Sequence, residues 1–430
     1  MTEASGGVTR RRFLGGLGLA GGGLGIAAAF TGGSAAGAVL GLVDRSPDGR
    51  SEQAAGAVST PGRVVPFRGR HQAGIITPAQ DRLVFGAFDV VTDSAGALRD
   101  VLDAWTIAAE AMTQGRSVPA DDGSPQAPPT DTGEALGLPP AALTVTIGYG
   151  PRLFARFGLA TRRPSALAEL PPLPGDRLDP ARCGGDICIQ ACSDDPQVAF
   201  HAVRNVTRLG RGVVVLRWLQ LGFGRTSSTT TGQQTPRNLM GFKDGTRNLR
   251  ADDTAALDRH VWIGTETDQP WLIGGSYLVA RRIRMLIEAW DRASLSEQER
   301  VIGRRKVSGA PLTGSREYDP PDFSAVRAGE LVIPSDAHIR LASPEHNAGR
   351  RMLRRGYSYT DGIDLSTGEL DAGLFFISFH KDPATFIAVQ RILGTQDALR
   401  EYIVHTGSAL FVCPPGLQDG ESWGRQLFGA

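Results

Sequence analysis

The 430-residue chain has almost no net charge: 46 basic side chains oppose 45 acidic ones and leave +1. Without a surplus of one sign there is no electrostatic case for holding nucleic acid or an anionic membrane surface. Cysteine is scarce as well. Four in 430 residues cannot make the disulfide scaffold of a small secreted domain. The length makes such a scaffold unnecessary, because at roughly 150 residues per domain it allows two or three domains with ordinary cores. Also missing is a long apolar run. The best candidate, Phe13 to Phe30, is interrupted by Gly15, Gly16, Gly18 and Gly21 to Gly23. It falls short of the roughly 20 strongly apolar residues that span a bilayer, so no stable membrane anchor is expected. What remains, 41% apolar and 21% charged residues, is the composition of an ordinary globular protein.

The N-terminus carries an address instead. Thr9-Arg10-Arg11-Arg12-Phe13-Leu14 precedes the glycine-diluted stretch, and Ser34-Ala35-Ala36-Gly37-Ala38 follows it. A basic start, an apolar middle and small residues for a peptidase are the parts of an export signal. The arginine pair followed by Phe-Leu resembles the twin-arginine type. Residues 1–38 are expected to meet the twin-arginine translocase, which moves folded proteins, and residues 39–60 to be a linker. The destination is outside the cytoplasmic membrane: a periplasm, or the cell surface and medium.

In an oxidising destination, thiols within reach of one another would pair. Cys188 and Cys192 lie four residues apart on an expected strand, about 13 Å along it and too far for a disulfide. Cys183 and Cys413 could pair only if the fold brought them together. The run Cys183, Cys188, Cys192 has no nearby histidine and is a poor zinc pattern. Buried free thiols are the expectation.

Two stretches of the chain echo each other. Ile187 to Ala191 is a short strand, after which Asp195-Pro196 opens a helix with Ala199, Ala202, Val203, Val206 and Leu209 at helical spacing. Leu374 to Phe379 is again a strand, and Asp382-Pro383 opens a helix carrying Phe386, Ile387, Val389 and Leu393. Aspartate at the N-cap satisfies first-turn amides, and proline at N1 presets φ. Each helix leads to a strand, Val213 to Leu219 and Ala409 to Val412. Upstream, Leu83 to Val91 precedes a helix over about 95–112, and Tyr277 to Leu286 precedes one begun by the capping box Ser294-x-x-Glu297. Strand-helix-strand twice, then the whole set again, is the split βαβ plan of a ferredoxin-like domain, duplicated. The fold class expected is α+β, with antiparallel sheets, over 61–235 and 236–420. Loops at 119–130, 167–180 and 226–232 are expected to be surface excursions.

Three segments outside these elements concentrate unusual residues. In Gly241-Phe242-Lys243-Asp244-Gly245-Thr246-Arg247-Asn248, glycines flank a carboxylate and let the backbone turn tightly against a flat ligand; a plain Asp-Gly turn would look the same. Asp336-Ala337-His338-Ile339-Arg340 holds a histidine that, taken alone, is an ordinary loop residue. Met352-Leu353-Arg354-Arg355-Gly356-Tyr357-Ser358-Tyr359 holds paired arginines that could equally be a solvated face.

In this order the three segments resemble the dye-decolourising peroxidases. Gly69-Arg70-His71-Gln72-Ala73-Gly74-Ile75 and Gly407-Ser408-Ala409-Leu410-Phe411 fit the same family, so the likeness runs from about Val65 to Gly416. With the export signal it points to the secreted, deferrochelatase-like subgroup. The family fold is a duplicated ferredoxin-like α+β domain with one haem b per chain in the C-terminal half. The resemblance implies that His338 is the axial haem ligand, Asp244 the distal acid–base residue and Arg354 the distal arginine. Haem iron in a peroxidase needs one imidazole and one open face. A carboxylate there can move a proton between peroxide oxygens, and a guanidinium can stabilise charge as the O–O bond breaks.

Further roles follow from the same likeness. Thr246 and Asn248 are expected in the distal hydrogen-bond network, and Arg340 at a haem propionate. Asp397 is expected to accept the second ring N–H of His338. The register favours Arg354 over Arg355, and His71, His201, His260, His346, His380 and His405 are expected to be structural or surface residues. The implied reaction is reduction of hydrogen peroxide, through an oxo-ferryl state, with dyes, phenols or other one-electron donors. Large donors would need surface aromatics as relays, with Tyr357, Tyr359 and Trp423 as candidates. Deferrochelatase activity, releasing iron from haem, and non-enzymatic haem carriage are the alternatives; homo-oligomers are left open.

Overall fold

The structure, a computed structural model, describes residues 62–119, 125–230 and 232–429. The expected signal and linker lie outside the described residues. The N-terminal half runs β1 (Arg82–Val90), α1 (Ala95–Thr113), β2 (Thr144–Tyr149), β3 (Ile187–Ser193), α2 (Pro196–Leu209), β4 (Val214–Arg225). The C-terminal half repeats it: β5 (Ser276–Met285), α3 (Leu295–Ile302), β6 (Tyr357–Ile363), β7 (Leu370–His380), α4 (Ala384–Gln396), β8 (Ile403–Cys413).

Each half is an antiparallel sheet with one order, β4-β1-β3-β2 in the first and β8-β5-β7-β6 in the second. This is the split βαβ order, used twice. The two sheets also meet at both edges. Val412 of β8 pairs with Tyr149 of β2, while Phe223 and Arg225 of β4 pair with Ser358 and Tyr357 of β6. These eight strands therefore close into a ring, so each of them has a neighbour on both sides.

Local signals explain the helices. Asp195 Oδ1 accepts from the N–H groups of Gln197 and Val198 at 2.7 and 3.1 Å, and Asp382 Oδ1 from that of Ala384 at 2.8 Å. Ser294 Oγ caps Glu297 N at 3.2 Å, but the return half of the expected capping box is not made. The Glu297 carboxylate instead pairs with Arg300.

Alternation sorts the strands, and the rings of core residues follow. In β1, Val84, Phe88 and Val90 meet α1 and α2, while Leu83, Phe85 and Ala87 point inside the ring. In β3, Ile187, Ile189 and Ala191 take the helix side, and Cys188 and Cys192 the inside. Both faces are thus buried. Tyr357 and Tyr359 are fully buried inside the ring and Trp423 is 1% exposed, so none of these aromatics is the surface relay expected from sequence. The segment holding Tyr357 and Tyr359 is strand β6, not an irregular one.

All four cysteines are free; Cys188, Cys192 and Cys413 are buried and Cys183 half-buried. Cys188 and Cys413 flank β2, their sulfurs 2.9 and 3.2 Å from where a Cβ on Gly148 would sit. Two strand spacings, about 9–10 Å, separate their backbones, which exceeds the reach of a disulfide.

The halves differ in how their helices pack. Trp105 and Leu102 of α1 and Val206 of α2 fill the N-terminal half against Phe88 and Ile189. In the C-terminal half α4 stands off its sheet and leaves a cavity of about 710 Å³. Its walls include Ile283, Leu374 and Phe376 from the sheet and Phe386, Val389 and Leu393 from α4.

Candidate active site

His338 opens a single helical turn, His338–Leu341, and borders this cavity. Its Nδ1 donates to Asp397 Oδ2 at 2.6 Å. Asp397 ends α4, and its other oxygen accepts from Leu399 N at 2.9 Å, capping the turn Ala398–Glu401. The histidine is enclosed by protein, yet 32% of its side chain is reachable from the cavity, against 4% for Asp397. Among the described residues Nε2 has no protein partner, so one ring nitrogen is fixed and the other is free to bind. Burial lowers the imidazole's basicity, but the Asp397 carboxylate more than offsets this and raises its pKa above the ordinary value.

Asp244 sits on a turn that needs its glycines. Gly241 and Gly245 have φ of +83° and +89°, in the left-handed region, and a Cβ on Gly245 would lie 2.9 Å from Ser227 Cα. The turn is held by Asp244 N donating to Pro236 O at 2.9 Å. Arg354 ends a separate two-residue strand, Leu353–Arg354, just before β6, and its backbone pairs with Ser378 of β7. Its Nη1 donates to Asp244 Oδ1 at 2.7 Å, and Asn238 Nδ2 approaches Oδ2 at 3.4 Å. Asp244, Arg354 and His338 border the same cavity, and the charges of Asp244 and Arg354 are felt at the imidazole.

The remaining expected residues divide. Thr246 borders the cavity and donates to Glu317 Oε1 at 3.2 Å. Asn248 stands behind the wall: its Nδ2 donates to Ser228 O and Arg354 O at 3.1 and 2.9 Å, and Oδ1 accepts from Arg354 N at 2.8 Å. It fixes the backbone that carries Arg354. Arg340 is not brought to the cavity. Two residues on from His338 in one helical turn, it projects away from it, and its guanidinium donates to the carbonyls of Pro334, Ile333 and Phe323. Arg355 likewise turns away from Arg354, as alternation along a strand requires, and is buried against Thr77 O and Gln80.

The 167–180 loop is largely exposed, as expected, and its residues Pro174 to Arg177 also form part of the cavity wall. His405, expected to be structural or at the surface, also borders the cavity, beside Arg281. Burial and the Arg281 charge push its pKa down to about 3, so it is neutral. Sequence reasoning missed Asn238, Arg304 and Glu317. Glu317 carries no local signal, since it is one of several acids on a loop 71 residues from Thr246.

A family model described as Dyp-type peroxidase, N-terminal, matches residues 72–224, and one described as Dyp-type peroxidase, C-terminal, matches 235–418. A deferrochelatase of Shigella flexneri serotype 5b is 37% identical over 427 residues, covering 97% of this chain and 96% of that protein. One from Escherichia coli K12 is 37% identical over 385 residues, 88% of each chain. Among solved structures, a DyP-type peroxidase of Streptomyces coelicolor is 40% identical, with a TM-score of 0.80 over 86% of this chain and 98% of that one. Ferric DtpA of Streptomyces lividans gives 39% and 0.80, over 87% and 99%.

Proposed function

We propose, since this chain belongs to the Dyp-type peroxidase family, that the cavity under α4 is its haem site and that His338, Asp244 and Arg354 run its chemistry. The protein is a haem-dependent peroxidase that reduces hydrogen peroxide at the expense of electron donors. The donor set suits haem: one imidazole with a free Nε2, a cavity of about 710 Å³ with aliphatic and aromatic walls, and an ion pair bordering it. His338 Nε2 would hold the iron, with Asp397 orienting the ring. Haem, when bound, would supply a redox-active iron able to react with peroxide.

The chain's own residues then divide the work. Asp244 takes a proton from one peroxide oxygen and returns it to the other. Arg354, fixed on Asp244 at 2.7 Å, stabilises the negative charge that develops on the departing oxygen. Asn248 keeps Arg354 in place. The 2.7 Å pairing of Asp244 with Arg354 beside the His338 cavity carries this reading, because a carrier would have no use for it.

Mixing haem-loaded protein with peroxide in a stopped-flow cell tests it. The Soret band should change rapidly and return on adding a phenolic or dye donor. An unchanged band would favour a carrier. The deferrochelatase relatives favour one second reading, iron release with the ring intact, which would appear as fluorescent metal-free porphyrin on incubation with haem.

Residues 1–38 act as a twin-arginine signal in this proposal, delivering the folded protein outside the cytoplasmic membrane. The halves divide at 61–235 and 236–420.

A further inference from the structure

Reducing one hydrogen peroxide to two waters consumes two protons as well as two electrons (H2O2 + 2 H⁺ + 2 e⁻ → 2 H2O). Asp244 can shift a proton between the two oxygens of the substrate, but that transfer adds none. The missing protons must cross from water into the cavity. One carboxylate unused by the chemistry above lies between the two. The Glu317 side chain is 10% exposed, and its Oε1 accepts from Thr246 Oγ1 at 3.2 Å. Thr246 borders the cavity two residues after Asp244. On the outer side, the Thr235 hydroxyl lies close enough to the same carboxylate to lower its pKa, and 2.9 Å from the hydroxyl of Tyr318, a residue 59% exposed.

We propose that Glu317 passes protons from solvent to the distal side of the cavity through the hydroxyl of Thr246, a role that rests on the peroxidase reading. A proton arriving by way of Tyr318 and Thr235 protonates the Glu317 carboxylate. The resulting acid gives it to Thr246 Oγ while that hydroxyl releases its own proton into the cavity. Only O–H bonds form and break, and Glu317 returns to its ionised state. Charged groups face it from two elements. Lys243, on the Asp244 turn, pairs with Oε2, and Arg304, after α3, donates to the Glu317 carbonyl at 3.0 Å. Arg247 and Arg354 act on Arg304 in turn. Burial raises the Glu317 carboxyl, and Lys243 with the threonine hydroxyls brings it below the usual glutamate value, so it surrenders a proton readily.

The plain alternative is an ion pair that tethers the 304–319 loop to the Asp244 turn. Three variants of the haem-loaded enzyme separate the two: Glu317→Gln, Thr246→Val and Lys243→Met. Lys243→Met breaks the ion pair and leaves the hydroxyl path. The readout is cyanide association with the ferric protein, because hydrogen cyanide must lose a proton on binding and the same path serves in reverse. Across pH, and in H2O against D2O, Glu317→Gln and Thr246→Val should each slow association by about a hundredfold, the low end expected for loss of an assisted proton transfer, and enlarge the solvent isotope effect. Lys243→Met should move the pH profile of association upward, because the Glu317 carboxyl loses its cation, without enlarging the solvent isotope effect. Wild-type kinetics and isotope effect in Thr246→Val, or equal losses in Glu317→Gln and Lys243→Met, would overturn the proposal. Failure of the unmodified enzyme to consume peroxide would instead sink the peroxidase reading.

Discussion

Replacing Asp397 by asparagine separates the two jobs of its carboxylate. One oxygen accepts from His338 Nδ1 at 2.6 Å and the other from Leu399 N at 2.9 Å. Asparagine keeps an oxygen for the cap but turns an NH2 towards Nδ1, donor against donor. The imidazole proton must then move to Nε2, the nitrogen proposed to hold iron. Losing a hydrogen bond to a charged group costs about 1.5–3 kcal/mol, or roughly 10–100-fold in affinity at about 1.4 kcal/mol per decade. The same range is typical when the partner of a metal-bound histidine is removed. Asp397→Ala loses the cap as well, about 1 kcal/mol of stability more. Asp397→Asn should therefore bind haem 10–100-fold more weakly, by that estimate, with apoprotein stability nearly intact, whereas Asp397→Ala should lose both. Haem titration at the Soret band and urea midpoints on the same preparations measure the two effects. Equal haem dissociation constants for wild type and Asp397→Asn would refute the reasoning.

Asn248→Ala removes two hydrogen bonds to the Arg354 backbone and one to Ser228 O. It should lower the melting temperature and slow the peroxide step while leaving haem bound; an unchanged rate would show that Arg354 holds its place unaided. His338→Ala should purify with little haem, and a wild-type haem content would sink the axial assignment. His380 and His405 are neutral when folded, with burial the leading cause in both and pKa values of about 3 against an ordinary 6.5. The unfolded chain binds more protons below that ordinary value, so stability should fall with pH from 6.5 towards 3, by about 3 kcal/mol for the pair between pH 6.5 and 5. A flat urea midpoint over that window would contradict it. Replacing Arg10 to Arg12 by lysines should strand folded protein in the cytoplasm, which fractionation and a blot would reveal.

Much of this was legible in the sequence because it depends on short-range rules. Asp195-Pro196 and Asp382-Pro383 mark helix starts by chemistry confined to one turn, and their recurrence exposes the duplication. Closure of the ring was not legible, since it depends on pairings such as Val412 with Tyr149 that join distant parts of the chain. With the ring hidden, Tyr357, Tyr359 and Trp423 looked available at the surface. Arg340 was misplaced because neighbouring residues in a sequence do not share a direction in space: one helical turn sends His338 and Arg340 apart. The cavity left no trace either, because Phe386, Val389 and Leu393 look like any apolar helix face until the gap beneath them is seen.

The two halves share a plan, but only the first is filled with its own side chains. At about 24 cal/mol per Å³, 710 Å³ of void would cost about 17 kcal/mol as an upper bound, more than the roughly 5–15 kcal/mol that holds a typical protein together. Water entering past the polar residues lowers that sum without replacing the missing contacts. On the proposed reading, the second half completes its interior by taking in a foreign body, and loading the cofactor would be for this half a step of assembly. If the chain leaves by a route that accepts only finished proteins, an empty molecule is by the same token an unfinished one. Loading would then come before departure, and the exporter would sort filled molecules from hollow ones without touching the cofactor.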